Sequence, residues 1–213
     1  MKRLAIIPAR GGSKRLPRKN MLNLAGKPLI QHTIEAVIKS RSFETIIFSS
    51  DDNEMLEFAD EFEGIVSEKR DPSLAGDQVK VIQLIKTIAE RIEFSSFDQV
   101  GLFLPTCPFR SHQDINEGLS LLTMEIYSVV SVCEMSESLQ LSVGLDEKTK
   151  ILKPESVFSP SPLVTGDTRS QDFDRYFRVN GGFYMAWLNQ FNERDNFFQG
   201  VVKGHILSLI HIS

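Results

Sequence analysis

Cysteine is almost missing from this chain. Cys107 and Cys133 are the only two in 213 residues, too few for a disulfide framework and at no metal-ligand spacing. They read as buried thiols in the reducing cytoplasm. Histidine is nearly as sparse: His32, His112, His205 and His211 are scattered, and no pair has the spacing of a zinc site. No apolar run reaches the ~18 residues that a membrane span needs, so no membrane partner is expected. A strand-like run starts almost at once, so no leader peptide is expected before it. Internal repeats and low-complexity tracts are also missing. Hydrophobic residues at 41% and charged residues at 24% are ordinary for a globular protein. The length suits a single domain spanning 1–213 with a proper core.

Acidic residues are missing from one stretch in particular. Between Pro8 and Asn20 there is none, while Arg10, Lys14, Arg15, Arg18 and Lys19 give a formal +5. The whole chain is −4, which leaves −9 for everything else. This cationic stretch follows Leu4–Ile7, an apolar, partly β-branched run that reads as a buried strand. Its adjacent glycines, Gly11 and Gly12, let backbone N–H groups turn inward and approach a ligand closely, and such concavities bind anions. The matching ligand is a polyphosphate. Neither the Walker A spacing nor G-x-G-x-x-G is present. A solvated basic loop for nucleic acid is the competing reading, but duplex-binding domains are usually basic over a whole face. Here the pI is about 5.6, so no nucleic-acid partner is expected.

Strand-like and helical patterns then alternate. Helices are predicted at Leu29–Arg41, Asn53–Phe62 behind an Asp cap, Val79–Ile92 and Asp114–Met124. Strands are predicted at Glu44–Ser50, Gly64–Val66, Val100–Leu104 and Ser128–Cys133. This is the pattern of an α/β fold, a mostly parallel three-layer sheet with helices on both faces. Ligands of such sheets bind beyond the carboxyl ends of the strands. The loops there are Pro8–Asn20, Ser49–Asp52, Ser67–Asp77 and Pro105–Arg110, which fit one composite site. From Glu134 to about Gln171 the pattern dissolves, with short strands expected at Leu139–Val143 and Lys150–Lys153. This excursion is too short for its own core and reads as a lid or as an arm embracing a second subunit. Apolar alternation resumes over Tyr176–Met185, where Asn180-Gly181-Gly182 marks a bend, a close approach or a hairpin turn. A short helix at Trp187–Phe191 and closing strands at Gly200–Lys203 and His205–Ile210 complete the reading.

The string IIPARGGSKRLPRKN, followed by LAGKPLI from Leu24 to Ile30, resembles the start of the acylneuraminate cytidylyltransferase (CMP-N-acetylneuraminic acid synthetase) family. The resemblance implies a Rossmann-like nucleotidyltransferase that activates a 2-keto sugar acid with CTP, giving CMP-sugar and pyrophosphate. It also implies a magnesium cofactor and a homodimer in which the 134–171 arm completes the neighbour's site. Arg10 and Lys19 would be catalytic. Ala9, Arg10, Gly11, Gly12, Ser13 and Lys14 would wrap the phosphates, with Lys19 and Asn20 at the α-phosphate and ribose. Arg70-Asp71-Pro72-Ser73-Leu74-Ala75-Gly76-Asp77 is similar to the family's Arg-Pro-x-x-Leu-Ala-x-Asp, with one extra residue between Arg and Pro. There Arg70 and Ala75 would line the base pocket, and Asp77 would orient the loop or cap the next helix.

Leu104-Pro105-Thr106-Cys107-Pro108 stands where the family has Leu-Gln-Pro-Thr-Ser-Pro, so Leu104 replaces an amide that reaches the sugar acid. Losing it would leave a polar substrate group unpaired at a cost of ~1–3 kcal/mol. The sugar acid therefore need not be N-acetylneuraminate itself, and pseudaminate-, legionaminate- and 3-deoxy-octulosonate-like acids stay open. Arg169, Gln171, Arg178, Asn180 and Tyr184 lie in a segment similar to the family's Arg-x-Gln … Tyr-Arg-x-Asn-Gly-Ala-x-Tyr. An arginine there could grip the acid's carboxylate in a bidentate pair, or pair on the surface with Asp172 or Asp174. The family closes with an Asp-x-Asp pair that holds Mg²⁺. This sequence ends HILSLIHIS with no acid after Asp195, so a truncated or foreign terminus is expected and the metal ligands are unknown. Asp51 and Asp52, the one acid pair at a strand end, could approach the phosphates or cap a helix. A nucleotidylyltransferase with another sugar or alcohol acceptor, or an inactive nucleotide-binding protein, is the alternative.

Overall fold

The computed structural model describes residues 1–12, 16–71, 81–91, 96–194 and 196–207. Its first strand shows how the sheet is built. In β1 (Arg3–Pro8), Ala5 and Ile7 belong to one apolar cluster while Leu4 and Ile6 belong to another. Side chains alternate across a strand, so β1 feeds two cores at once. The same split recurs in β4 (Thr45–Ser50), where Ile46 and Phe48 join the first cluster and Ile47 the second. Full burial of each such Ile or Phe contributes ~1.5–3 kcal/mol, and this two-sided burial is why the strands read as unbroken apolar runs.

Helices cover both faces. On the first, α1 (Leu29–Ser40) supplies Ile30, Ile34 and Val37, α2 (Asn53–Asp60) supplies Met55 and Ala59, and α4 (His112–Leu121) supplies Ile115. On the second, α3 (Val81–Arg91) supplies Leu84, Ile85 and Ile88, and α6 (Leu188–Arg194) supplies Leu188 and Phe191. Between α1 and β1, a small hairpin of β2 (Asn23–Leu24) and β3 (Lys27–Pro28) leads into α1. Lys27 Nζ donates to both carboxylate oxygens of Glu35, at 2.9 and 2.6 Å, and so ties that hairpin to the helix.

Seven strands form the sheet, in the order β11-β7-β10-β6-β1-β4-β5. The remaining members are β5 (Ile65–Lys69), β6 (Gln99–Leu102), β7 (Ser128–Glu134), β10 (Phe177–Trp187) and β11 (Val202–Ile206). β1 pairs in parallel with β4 and β6, β4 with β5, and β7 with β11, whereas β10 runs antiparallel to β6. From β1 the chain moves outward to β4 and β5, then returns to β6 on the other side of β1. That reversal between β1 and β6 opens a crevice at the carboxyl edge of the sheet, the usual ligand position. The mostly parallel, doubly covered sheet is the α/β architecture expected from the alternating pattern.

Several boundaries differ from expectation. β6 ends at Leu102 rather than Leu104, because Phe103 turns inward as a fully buried core residue while its N–H still donates to Ile6 O at 3.0 Å. The closing segment is one strand rather than two. Gly200 has φ +146 and Val201 O accepts from Tyr127, so pairing starts at Val202 and runs unbroken through Gly204 and His205. Residues beyond 207 lie outside the description. Nor does Asn180-Gly181-Gly182 make a hairpin: β10 continues through it, and the glycines answer close approach instead. A Cβ on Gly182 would fall 2.6 Å from Leu207 Cδ1 and 2.9 Å from Ser131 Oγ. No helix among the described residues is long and apolar enough to cross a membrane.

The chain divides into two compact units, Met1–Val132 with Val179–Ser213, and Cys133–Arg178. Within the second unit, Leu139–Leu141 is a single 3-10 turn, not a strand, because buried Gln140 sends its amide to Asp174 O at 2.9 Å. The other expected strand is reduced to β9 (Leu152–Lys153), paired with β8 (Gly144–Leu145). Arg175 clasps Glu134 through Nε at 2.6 Å and through NH2, and Met135 N donates to Tyr176 O at 2.9 Å. A four-residue helix, α5 (Pro162–Thr165), completes the unit's regular structure.

Candidate active site

Just past β1 the chain is pinned from several sides. Ala9 N–H donates to Ser49 O at 2.9 Å, which extends the β1–β4 ladder by one step. Two residues on, Gly11 N–H donates to Asp51 Oδ1 at 2.9 Å. A side chain at Gly11 is sterically barred, since its Cβ would lie 2.9 Å from both Cβ and Oδ2 of Asp52. Among the described residues nothing lies within 4 Å of a would-be Cβ on Gly12. Asn20, 7% exposed, donates from Nδ2 to Arg10 O at 3.0 Å and holds the carbonyl of the candidate phosphate ligand. Lys19 opens the same 3-10 turn, Lys19–Met21, behind Arg18 in a left-handed conformation with φ 54. Arg18 is ion-paired with Glu54 of α2, so part of the stretch's +5 is answered within the protein.

The ends of β4 and β5 form the wall beside this loop. Ser49 stands opposite Glu68 in register and donates to Glu68 Oε2 at 2.5 Å. Arg70, 6% exposed, donates from Nε to Ser49 Oγ at 3.2 Å and from NH2 to Ser49 O at 2.8 Å. Burial holds the Arg70 guanidinium below its ordinary pKa, Asp51 and Glu68 oppose that, and the charge of Arg10 adds to the depression. Two cations therefore act on one another at this edge, a placement that favours an anion. The neighbouring acids are engaged. Asp51 receives Gly11, and Asp52 Oδ1 caps α2 by accepting from Glu54 N at 2.9 Å and Met55 N at 3.4 Å. They do not form the open carboxylate pair that magnesium coordination wants.

A second cluster sits where β6 meets β10. Because Tyr184 pairs with Leu102 on an antiparallel strand, the residues before Tyr184 extend past the carboxyl end of β6. Gly181, at φ +75, thus comes against Leu104, whose Cδ1 would lie 3.2 Å from a Cβ there. Asn180 Oδ1 accepts from Ser131 Oγ at 2.6 Å and Gly182 N at 3.0 Å, while its Nδ2 is buried with no partner. Tyr184 differs: its ring packs on Phe197 at 5.3 Å, and burial raises its hydroxyl pKa.

Sequence reasoning passed over Arg110. Its NH1 donates to Leu104 O at 3.0 Å and Cys107 O at 2.7 Å, which fixes the loop after β6. Nε and NH2 are buried without partners, and the guanidinium lies 5.6 Å over the Phe103 ring. Burial lowers its pKa to about 10. The one signal in the sequence was a lone cation closing an otherwise uncharged loop.

Of the remaining candidates, Arg169, Gln171 and Arg178 belong to the second unit. Gln171 is in the 3-10 turn Ser170–Asp172, and Arg178 Nε donates to Cys133 Sγ at 3.3 Å. Among the described residues neither arginine forms an ion pair with Asp172 or Asp174. Ser13, Lys14, Ala75 and Asp77 lie outside the described residues. The structure thus brings Ala9, Arg10, Gly11, Asn20 and Arg70 around one edge, and places Leu104 against Gly181 beside Asn180.

A model of the family described as Cytidylyltransferase matches residues 4–161, from β1 well into the second unit. The chain belongs to the cytidylyltransferase family. It is similar to a CMP-N,N'-diacetyllegionaminic acid synthase of Legionella pneumophila, 33% identical over 99% of this chain and 88% of that protein. A pseudaminic acid cytidylyltransferase of Campylobacter jejuni is 29% identical over 89% of this chain and 82% of its own. Among solved structures, a CMP:2-keto-3-deoxy-manno-octonic acid synthetase complexed with CTP matches with a TM-score of 0.67. It is 17% identical over 98% of this chain and 90% of that one, a shared fold. This cytidylyltransferase is therefore a nucleotidyltransferase, and the edge holding Arg10 and Arg70 is its candidate active site.

Proposed function

We propose that this cytidylyltransferase joins CTP to a 2-keto sugar acid of the nonulosonate class, yielding CMP-sugar, pyrophosphate and a proton. The anomeric hydroxyl attacks the α-phosphorus, the new P–O bond forms, and the bond to the bridging oxygen of pyrophosphate breaks. The observation carrying this reading is that the loop after β1 and buried Arg70 share one anchor, Ser49 O, which accepts from Ala9 N–H and from Arg70 NH2, beside a Gly11 amide that Asp51 fixes. At ~4 Å and an effective dielectric of ~20, one Arg–phosphate contact is worth about 4 kcal/mol before desolvation. Preorganised cations of this kind stabilise charge as it moves onto the leaving pyrophosphate.

In this reading Arg10, Gly11, Gly12, Ser13 and Lys14 hold the phosphates, Lys19 and Asn20 face the α-phosphate and ribose, and Arg70, Ala75 and Asp77 shape the base pocket. Asn180, with its unpartnered amide nitrogen, is a donor to the sugar acid beside Leu104, with Tyr184 on the same strand; Arg169, Gln171 and Arg178 are sugar-acid candidates on the family resemblance alone. Magnesium, if bound, would supply charge neutralisation as the counter-ion of the triphosphate. No step is assigned to it, because Asp51 and Asp52 are committed elsewhere. The second unit exposes Leu145, Ile151, Leu152, Val157 and Val164, apolar surface that supports a homodimer interface. Cys107 and Cys133 are buried and in no disulfide, which suits the cytoplasm.

The test is pyrophosphate release with CTP and Mg²⁺ against legionaminate-, pseudaminate-, N-acetylneuraminate- and 3-deoxy-octulosonate-type acids. Turnover with at least one acid, and with CTP over the other triphosphates, is expected. Intact CTP binding with no turnover on any acid would overturn the reading in favour of an inactive nucleotide-binding protein.

A further inference from the structure

His205 has neighbours that its place in the sequence hides. It lies on β11 opposite Ser131 and is 8% exposed. Its Nε2 faces Asp114 Oδ1 at 3.4 Å and Glu117 Oε2 at 4.0 Å. Asp114 and Glu117 are three apart in α4 and so share a helix face. One potential ligand atom from each of the three lies within 4.8 Å of the others, the one such group among the described residues.

The spacing admits two accounts, a hydrogen-bonded Asp–His pair and a shared ion. An N–H···O hydrogen bond prefers 2.7–3.2 Å, so 3.4 Å is long for a simple Asp–His pair, and such a pair has no use for Glu117. Bonds of ~2.1 Å around a tetrahedral or octahedral ion set neighbouring ligands about 3–3.5 Å apart and opposite ones about 4 Å apart. The supporting contacts fit as well. Asp114 Oδ2 accepts from Ser111 N and Ser111 Oγ, both at 2.7 Å, which orients the carboxylate and turns Oδ1 toward His205. The His205 ring lies on Phe183 at 5.5 Å. A ligand held by such neighbours is preorganised. Glu117 is exposed (69% for its side chain) and approaches from the solvent side, which leaves room for water on the ion.

We propose that Asp114, Glu117 and His205 form a binding site for a divalent transition-metal ion of the zinc class. An imidazole nitrogen with two carboxylates suits Zn²⁺ and its neighbours, whereas Mg²⁺ prefers oxygen alone. An ion held there ties α4 to β11, elements from residues 91 apart in sequence. The site is independent of the nucleotide reading.

The test uses the full chain, untagged and chelator-treated, titrated with Co²⁺ and then Zn²⁺. The wild type should develop a visible ligand-field band at one equivalent, lost when Zn²⁺ displaces the cobalt. Glu117→Gln should weaken Co²⁺ binding about tenfold or more, and His205→Gln should abolish the band, while His112→Gln leaves it. At one equivalent, Zn²⁺ should raise the melting temperature of the wild type by more than that of Glu117→Gln. No band in the wild type, or binding unaltered by Glu117→Gln, overturns the proposal. That exposed variant decides the matter even if His205→Gln fails to fold.

Discussion

Gly11 and Asp51 are joined by a 2.9 Å hydrogen bond from the glycine's amide to the aspartate's Oδ1. It ties the loop after β1 to the loop after β4, and it uses as a brace the acid that the sequence offered as an approach to the phosphates. Asp51→Ala should therefore raise the KM for CTP about tenfold through lost loop order worth ~1–2 kcal/mol. Asp51→Asn, which keeps an acceptor, should do much less. Steady-state pyrophosphate release distinguishes the two; equal effects would mean that charge, not the tie, is what matters.

The two glycines of the loop should respond differently to a methyl group. Gly11→Ala drives its Cβ into Asp52, and disturbing that cap of α2 costs about 1 kcal/mol. Gly12→Ala meets no described residue within 4 Å and should leave the melting temperature nearly unchanged. Thermal denaturation of both variants checks this, and equal losses would contradict it.

Much of the scaffold was legible for a physical reason. β1 and β4 are buried on both faces and appear as unbroken apolar runs, and α1 carries Ile30, Ile34 and Val37 at helical spacing. The cap Asp52 was also visible, because capping is a local interaction. Contacts between distant segments were not. Arg110 looks like any surface cation until the fold buries it over Phe103, and nothing near His205 in sequence announces Asp114. Asn180-Gly181-Gly182 carried a true signal of close approach, but period-2 patterning cannot separate a tight strand from a turn. Leu139–Val143 misled because its alternation is that of a strand, while a single amide contact from Gln140 decides the backbone.

Arg110 should be dispensable for folding and important for loop position. Arg110→Met removes an incompletely paired buried cation, a replacement that is often neutral for stability, but it frees the carbonyls of Leu104 and Cys107. The KM for the sugar acid should rise several-fold while the KM for CTP holds. The pH response has a definite sign. With a folded pKa of about 10 and a higher unfolded one, the unfolded chain binds the extra proton between them, so this group's contribution to stability rises with pH across that window. Urea midpoints at about pH 9 and 11 should show the wild type gaining on Arg110→Met; a constant difference would contradict the assignment.

The Lys27–Glu35 tie behaves oppositely. The hydrogen bond from Lys27 holds the Glu35 carboxyl below its usual range, against burial and with help from Gln31. Its contribution is full above the unfolded value and lost as pH falls through the lower folded one. Both side chains are partly exposed, so the effect is a fraction of a kcal/mol. Glu35→Gln should flatten the acid limb of stability against pH, measured by chemical denaturation between about pH 3 and 6. An unchanged acid limb would remove the pair from the stability balance.

In the proposed function, acceptor choice is read in part from Leu104. Leu104→Gln places an amide beside Asn180 and should raise kcat/KM for N-acetylneuraminate relative to the other acids by about tenfold, the value of one well-made polar contact. An unchanged ranking of acids would take Leu104 out of acceptor selection.

The central claim is that the cationic turn after β1 grips the triphosphate of CTP, and calorimetric titration of CTP into Arg10→Ala tests it most directly. The variant should keep the wild-type circular dichroism and melting temperature yet bind CTP about 100-fold more weakly, the loss of one charge-assisted contact. Wild-type affinity in a folded Arg10→Ala protein would contradict the claim.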